Sequence, residues 1–247
     1  MQENKNLAVF LVHDIKAVLF DKDGTILDFD KTWMPLWEAI LAGVKETFGL
    51  KEEHLQAFHH ALGVTGKGCT PSSIFVQSHF EHMLDAAYAG SALDEDKKDA
   101  IIAYVRDFVQ NRAKDYAKAH AIPGVPDVIR AIKGQGFLVG LVTSDLEPIA
   151  MEHMKDLGLS GVFDYMACDN GVRKLKPHRD ILDEVCEKFG ILPHEVAMVG
   201  DAVVDMQFAK DNGMGYGIYV RSGYPDEKGE KMADMILDDV TQLVMSK

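Results

Sequence analysis

Ala17-Val18-Leu19-Phe20-Asp21-Lys22-Asp23-Gly24-Thr25 is the stretch on which the reading of this chain turns. Four apolar residues run without alternation into an acidic turn. Such a run predicts a strand over about 15–21 that is buried on both faces, as in a parallel sheet. Open α/β sheets place their ligands at the carboxyl ends of their strands. Asp21 and Asp23 stand at that end, two apart, and Gly24 allows a sharp bend. Two carboxylates so close repel one another unless a cation lies between them. Oxygen ligands of this kind suit Mg²⁺. One carboxylate can then act as a nucleophile and the other as an acid/base. The same residues also fit a plain Asp-Gly turn after a strand, and the stretch by itself leaves both readings open.

Outward from this stretch the chain has two textures. From Lys31 to about His120 the periodicity is helical. Trp33, Leu36, Trp37, Ile40, Leu41 and Val44 recur at three and four residues and mark an amphipathic helix ending near Gly49. Leu55, Phe58 and Leu62 predict a second helix, closed by Gly63. A turn-rich segment over 63–71 follows, then a third helix over 72–89. A fourth is capped by Asp94, with Ile101, Ile102, Val105, Phe108 and Val109 as its buried stripe. A segment of this length is too long for a loop.

Pro123-Gly124-Val125-Pro126 opens the second texture. Strands over 137–142, 164–168, 195–199 and 216–220 alternate with helices over 127–133, 147–157, 178–190 and 202–212. A short strand over 235–237 and a helix over 240–245 close the chain, and the lead at 1–14 has room for an extra edge strand. Strands alternating with helices imply βαβ units. The expected fold is therefore α/β, with a Rossmann-like doubly wound parallel sheet core over 1–30 and 121–247 and an inserted all-helical domain over 31–120.

The 247 residues carry a formal net charge of −13, and 47% of them are hydrophobic. That balance argues against nucleic acid or an anionic membrane as partner, without excluding an anionic substrate held in a locally basic site. The three cysteines, Cys69, Cys168 and Cys186, form no CxxC and read as free thiols in a reducing compartment. The apolar stretch from Leu7 to Val12 is too short for a signal peptide or membrane span. A cytoplasmic protein, monomer or homodimer, is expected.

Apolar runs end in polar residues at two further points, and in a parallel sheet those ends lie along one edge. Val199-Gly200 runs into Asp201-Ala-Val-Val-Asp205, with two carboxylates placed on the first turn of a helix. One could serve as a cap, and both together suggest metal ligation. Val142 runs into Thr143-Ser144, whose hydroxyls and backbone N–H groups can hold a phosphoryl oxygen or cap the helix that follows. Lys174-Leu-Lys176-Pro177 precedes a helix at whose first turn Pro177 is expected. Lys176 can face the same edge, and Lys174 is expected in solvent.

Asp21-Lys-Asp23-Gly24-Thr25, Thr143 after an apolar strand, Lys176-Pro177, and Gly200-Asp201 with Asp205, in that order, resemble the haloacid dehalogenase-like hydrolases. The helical insert resembles the family's cap domain of the phosphoglycolate phosphatase and β-phosphoglucomutase type. The resemblance implies that Asp21 attacks phosphorus and that Asp23 protonates the leaving alcohol, then activates water. It implies that Thr143 hydrogen-bonds a phosphoryl oxygen, and that Lys176 stabilises nucleophile and phosphate charge. Ser144 is a further substrate-binding candidate from its hydroxyl beside Thr143. Mg²⁺ would be held by Asp21, Asp23 (through its carbonyl), Asp201 and Asp205. The implied activity is a Mg²⁺-dependent phosphatase acting on a small phosphorylated metabolite, phosphoglycolate-like or a sugar phosphate, through an aspartyl-phosphate. The alternatives are a phosphomutase with the same intermediate and a non-catalytic, receiver-like Mg²⁺-binding protein. A dehalogenase would leave Asp23 idle.

Some positions depart from the family pattern. Lys22 stands where an apolar residue is usual, with its ammonium either near the pocket or in solvent. Ala202 stands where a hydroxyl residue often follows the metal Asp. His178-Arg179 replaces a second proline. Lys67 in the turn-rich segment is a candidate anion contact.

Overall fold

In a computed structural model of the chain, the residues described are 10, 14–65, 68–70, 73–77, 80–90, 93 and 95–243. The chain divides into two compact units, Met1–Phe29 with Ala119–Lys247, and Asp30–Lys118. Strand β1 spans Ala17–Phe20. Helices α1 (Phe29–Phe48) and α2 (Glu52–Leu62) follow, then the short strands β2 (Val64–Thr65) and β3 (Gly68–Cys69). Next come α3 (Ile74–Gln77), α4 (Phe80–Gly90) and α5 (Glu95–Tyr116). The helical stripes of this segment converge on one apolar cluster that includes Trp37, Ile40, Val44, Phe58, Leu62, Leu84, Ile101, Val105 and Phe108.

The remaining elements alternate: α6 (Val125–Gly134), β4 (Leu138–Leu146), α7 (Glu147–Asp156), β5 (Tyr165–Asp169), α8 (Asp180–Phe189), β6 (Val196–Gly200), α9 (Val203–Asp211), β7 (Tyr216–Val220), α10 (Glu227–Met232) and β8 (Met235–Leu237). The sheet order is β5-β4-β1-β6-β7-β8, and every pairing is parallel. Side chains alternate across it, as strand geometry requires. Val18, Phe20, Val139, Leu141, Ala197 and Val199 pack on one face with Val125, Ile129 and Ile132 of α6 and Ala150 and Met154 of α7. Ala17, Leu19, Val142, Val196 and Met198 pack on the other with Ile181, Leu182 and Val185 of α8 and Phe208 of α9. Apolar residues of this size each contribute about 1.5–3 kcal/mol when fully buried, which explains why the strands read as unbroken apolar runs. The unit is thus the doubly wound α/β sheet expected from the sequence.

Several elements differ from expectation. β4 continues to Leu146, so Thr143 and Ser144 lie within a strand and not after it. The apolar run stops where deep burial stops, but backbone pairing with β5 goes on, through a register shift, to Leu146 opposite Asp169. The expected third helix is helical over Ile74–Gln77 (α3) and Phe80–Gly90 (α4), and residues 71–72 and 78–79 lie outside the described residues. The turn-rich segment contains the antiparallel pair β2–β3. α8 starts at Asp180, so Pro177 sits in a turn and not on the helix. α10 has no sequence forecast. Within the expected last helix, the described residues Val240–Leu243 form a 3₁₀ turn. Lys67, Asp94, residues 244–245 and most of the lead lie outside the described residues. Among the described residues, no helix is long and apolar enough to cross a membrane.

Candidate active site

The chain switches direction at β1: β4 and β5 lie on one side of it, β6 to β8 on the other. Such a switch opens a crevice at the strand carboxyl ends. The register places Phe20 beside both Leu141 and Val199, and the Asp21 N–H donates to the Val199 carbonyl at 2.9 Å. Asp21 therefore leaves β1 level with Gly200, the residue before Asp201.

The carboxylates of Asp21, Asp201 and Asp205 offer one oxygen each within 4.8 Å of one another. Lys176 reaches them from the loop before α8, its Nζ 2.6 Å from Asp21 Oδ1, 2.6 Å from Asp205 Oδ1 and 3.3 Å from the Val142 carbonyl. Asp205 sits in the first turn of α9 and its Oδ2 accepts from the Ala202 N–H at 3.0 Å. It therefore serves as a cap and as a partner of Lys176 together. Asp201 lies before α9 and not on its first turn. Its Oδ1 accepts from the Thr25 hydroxyl at 3.3 Å, so Thr25 supplies the hydroxyl contact that Ala202 cannot.

Two buried carboxylates, Asp201 and Asp205, and the partly buried Asp21 beside one ammonium leave excess negative charge. Burial pushes the Asp21 carboxyl up to about 7, with Lys176 opposing the shift and Asp205 adding to it. Burial, then Asp21 and Asp205, raise Asp201 well above its usual range. For Lys176, burial favours the neutral amine, but Asp205 and Asp21 outweigh it and hold the ammonium charged. The donor set is all oxygen, close-set and short of positive charge, which is the chemistry a hard divalent cation such as Mg²⁺ satisfies.

The Gly24 backbone has φ +77°, and a side chain there would put its Cβ 2.2 Å from Asp201 Oδ2. The turn after Asp23 thus needs glycine both for its conformation and to make room for Asp201. The Gly24 carbonyl accepts from the Ser222 hydroxyl at 2.7 Å, which ties the β1 turn to the loop after β7.

Thr143 is buried, and its Oγ1 accepts from the Asp145 N–H at 3.2 Å. Ser144, the next residue on β4, is exposed. Lys174 is exposed as expected. Cys168 is buried and its thiol is pushed up to about 11 chiefly by burial, which fits a core residue and not a nucleophile.

Lys22, left open by the sequence between pocket and solvent, is fully buried. Its Nζ lies 2.8 Å from Asp23 Oδ2, 2.7 Å from Asp145 Oδ2 and 3.1 Å from His153 Nδ1. Burial pushes Asp145 up to about 6 against the pull of Lys22. Asp145, His153, Thr25 and Ser222 are the residues that sequence reasoning missed. Thr25 carried a signal, being the last residue of the opening stretch. Asp145 and His153 carried none, because their partner lies more than a hundred residues earlier in the chain.

Comparison with known proteins agrees with this architecture. The sequence model of the haloacid dehalogenase-like hydrolases matches residues 15–213. The chain is 29% identical over 199 residues to the phosphoglycolate phosphatase of Nitrosospira multiformis, covering 81% of this chain and 80% of that one. It is 27% identical over 233 residues to the N-acetylmuramic acid 6-phosphate phosphatase of Pseudomonas aeruginosa, covering 93% of each. Its fold matches the crystal structure of a predicted phosphoglycolate phosphatase from Haemophilus somnus with a TM-score of 0.69 and 21% identity, over 93% of this chain and 96% of that one. The chain belongs to the haloacid dehalogenase-like hydrolase family, and its class of activity is that of a phosphatase.

Proposed function

We propose that the chain is a Mg²⁺-dependent phosphatase that hydrolyses a small phosphorylated metabolite through a phosphoryl group carried on Asp21. The observation that carries this reading is the convergence of Asp21, Asp201 and Asp205 within 4.8 Å, with Lys176 bridging Asp21 and Asp205. Residues 1–30 with 121–247 are proposed as the hydrolase core and 31–120 as its cap domain.

Asp21, Asp201 and Asp205 would hold Mg²⁺ with the backbone carbonyl of Asp23. When bound, the ion offsets charge on the transferring phosphoryl group. Phosphoryl transfer asks chiefly for positioning and charge neutralisation. Asp21 supplies the nucleophilic oxygen, which bonds to phosphorus as the ester P–O bond breaks. The electron pair of that bond goes to the alcohol oxygen, which takes a proton from the Asp23 carboxyl. In the second half, water gives a proton to the Asp23 carboxylate as its oxygen bonds to phosphorus. The bond to Asp21 then breaks, releasing phosphate and the free carboxylate. Lys176 holds Asp21 in place and neutralises charge beside it, and Thr143, with Ser144, is proposed to contact the phosphoryl oxygens.

The substrate class rests on the relatives, whose names refer to phosphoglycolate and to an amino-sugar phosphate. A phosphoglycolate-like acid or a sugar phosphate is therefore proposed. The test is phosphate release from a panel containing 2-phosphoglycolate and hexose phosphates, with Mg²⁺ and with EDTA, for wild type and Asp21→Asn. Release that needs Mg²⁺ and is lost in Asp21→Asn supports the reading. Isomerisation of a sugar phosphate without phosphate release replaces it with a phosphomutase.

A further inference from the structure

The loop after β1 contains a buried cation whose position the reaction above does not explain. In sequence, Lys22 lies between the two carboxylates proposed to do the chemistry, and its ammonium is fully buried beside Asp23, Asp145 and His153. It meets Asp23 Oδ2 at 2.8 Å, Asp145 Oδ2 at 2.7 Å and His153 Nδ1 at 3.1 Å. A lysine ammonium only donates, so His153 accepts through Nδ1 and carries its proton on Nε2. The anchors come from three separate elements: the β1 turn, the far end of β4 and helix α7, where His153 is itself buried. Burying a lysine is costly, and here the cost is offset by two carboxylates and a ring nitrogen. An apolar residue in the same position would avoid that cost altogether.

From this geometry we infer that Lys22 is a positioning residue for Asp23. It holds Oδ2 of the carboxyl group at 2.8 Å, with Asp145 and His153 fixing the ammonium in turn. Asp23 then has its Oδ2 held by Lys22, and the carboxyl group so fixed exchanges a proton with the leaving alcohol and the attacking water. A carboxyl group anchored through one oxygen has fewer rotamers to lose when it meets the substrate, and a misplaced acid or base loses much of its effect. Lys22 touches neither substrate nor phosphorus in this scheme. The inference rests on the reading of Asp23 as acid/base.

That dependence supplies the test. An alkyl phosphate needs its leaving oxygen protonated, whereas p-nitrophenyl phosphate departs as a stable phenolate and needs little help. kcat/KM reports steps up to the first irreversible one, here formation of phosphorylated Asp21. It is measured for p-nitrophenyl phosphate and for the alkyl phosphate of the panel hydrolysed fastest, in wild type, Lys22→Met and Asp23→Asn.

Lys22→Met is expected to lose roughly 10- to 100-fold more kcat/KM on the alkyl ester than on the aryl ester, part of the span a general acid supplies. On the aryl ester its kcat should fall more than its kcat/KM, because hydrolysis of phosphorylated Asp21 still needs Asp23 as base. A purely structural role would lower both esters alike, and equal losses in Lys22→Met overturn the inference. Asymmetry in Asp23→Asn with none in Lys22→Met overturns it while leaving the acid/base reading intact. Equal losses in Asp23→Asn overturn that reading and this inference together. Should Lys22→Met fail to fold because Asp145 is left buried alone, Lys22→Met combined with Asp145→Asn removes both charges, and the same asymmetry is expected of it.

Discussion

Asp21 is the residue on which most of the proposed chemistry depends, and its environment gives it a measurable signature. Without a divalent cation its carboxyl is pushed up to about 7, first by burial, against a usual value of 3.8. The folded chain therefore keeps a proton there that the unfolded chain has already released. Below about pH 4 both states are protonated and the site costs nothing; as pH rises from about 4 through about 7, stability falls, and above that it levels off. Thermal melts in EDTA at about pH 5 and about pH 8 should show wild type losing more stability than Asp21→Asn over that interval. Parallel losses in the two proteins would remove Asp21 from the account of the acidic cluster. Lys22 shows the limit of sequence reading at this scale. Nothing adjacent to it marks it as buried, and only the approach of β4 and α7 supplies Asp145 and His153.

At the scale of elements, the site is assembled by turns that allow close approach. The loop after β7 passes so near Asp201 that a Cβ on Gly223 would lie 1.8 Å from Asp201 Oδ2. Gly223→Ala must move either the loop or the carboxylate. Because positions that orient a metal ligand typically cost 10–100-fold when disturbed, Mg²⁺ affinity measured by calorimetric titration should drop by about that factor. Unchanged affinity would mean that Asp201 is not a ligand. The periodic elements were legible: β7 and β8 fall on the expected residues, α1 and α2 contain their predicted stripes, and α6 spans the expected 127–133. The elements that escaped have physical reasons. α10, Glu-Lys-Gly-Glu-Lys-Met, has no apolar stripe and contains a glycine. It forms because Asp226 accepts from the Lys228 N–H at 2.7 Å and Gly229 lies against the Tyr219 ring. The end of β4 escaped because polar residues there are held by pairing with β5 and not by burial of an apolar face.

For the molecule as a whole, the two units carry separate apolar clusters. Trp37, Phe58 and Leu62 belong to the cluster of Asp30–Lys118, whereas Phe20, Leu141 and Val199 belong to that of the sheet unit. Leu62 is fully buried, and Leu62→Ala should destabilise its own unit by about 2–5 kcal/mol. Hydrogen exchange should show protection falling across 30–118 while the sheet strands keep theirs, and an equal fall in β1 and β6 would contradict the separation of the cores. The change of texture near Lys31 and the return near Pro123 made this division visible in sequence, because a helical stripe and a two-sided buried strand impose different periods on the same apolar residues. The grouping of Asp21, Lys176, Asp201 and Asp205 was visible too, since a parallel sheet brings its strand ends to one edge.

The most direct test of the central claim is to look for the phosphoryl group on Asp21. The enzyme is mixed with its best substrate and Mg²⁺, quenched in acid during turnover, digested and examined by mass spectrometry. A phosphoryl group on the peptide carrying Asp21, absent in Asp21→Asn and removed by hydroxylamine, is the predicted result. Sustained phosphate release with no such adduct, and with activity retained in Asp21→Asn, would contradict the account.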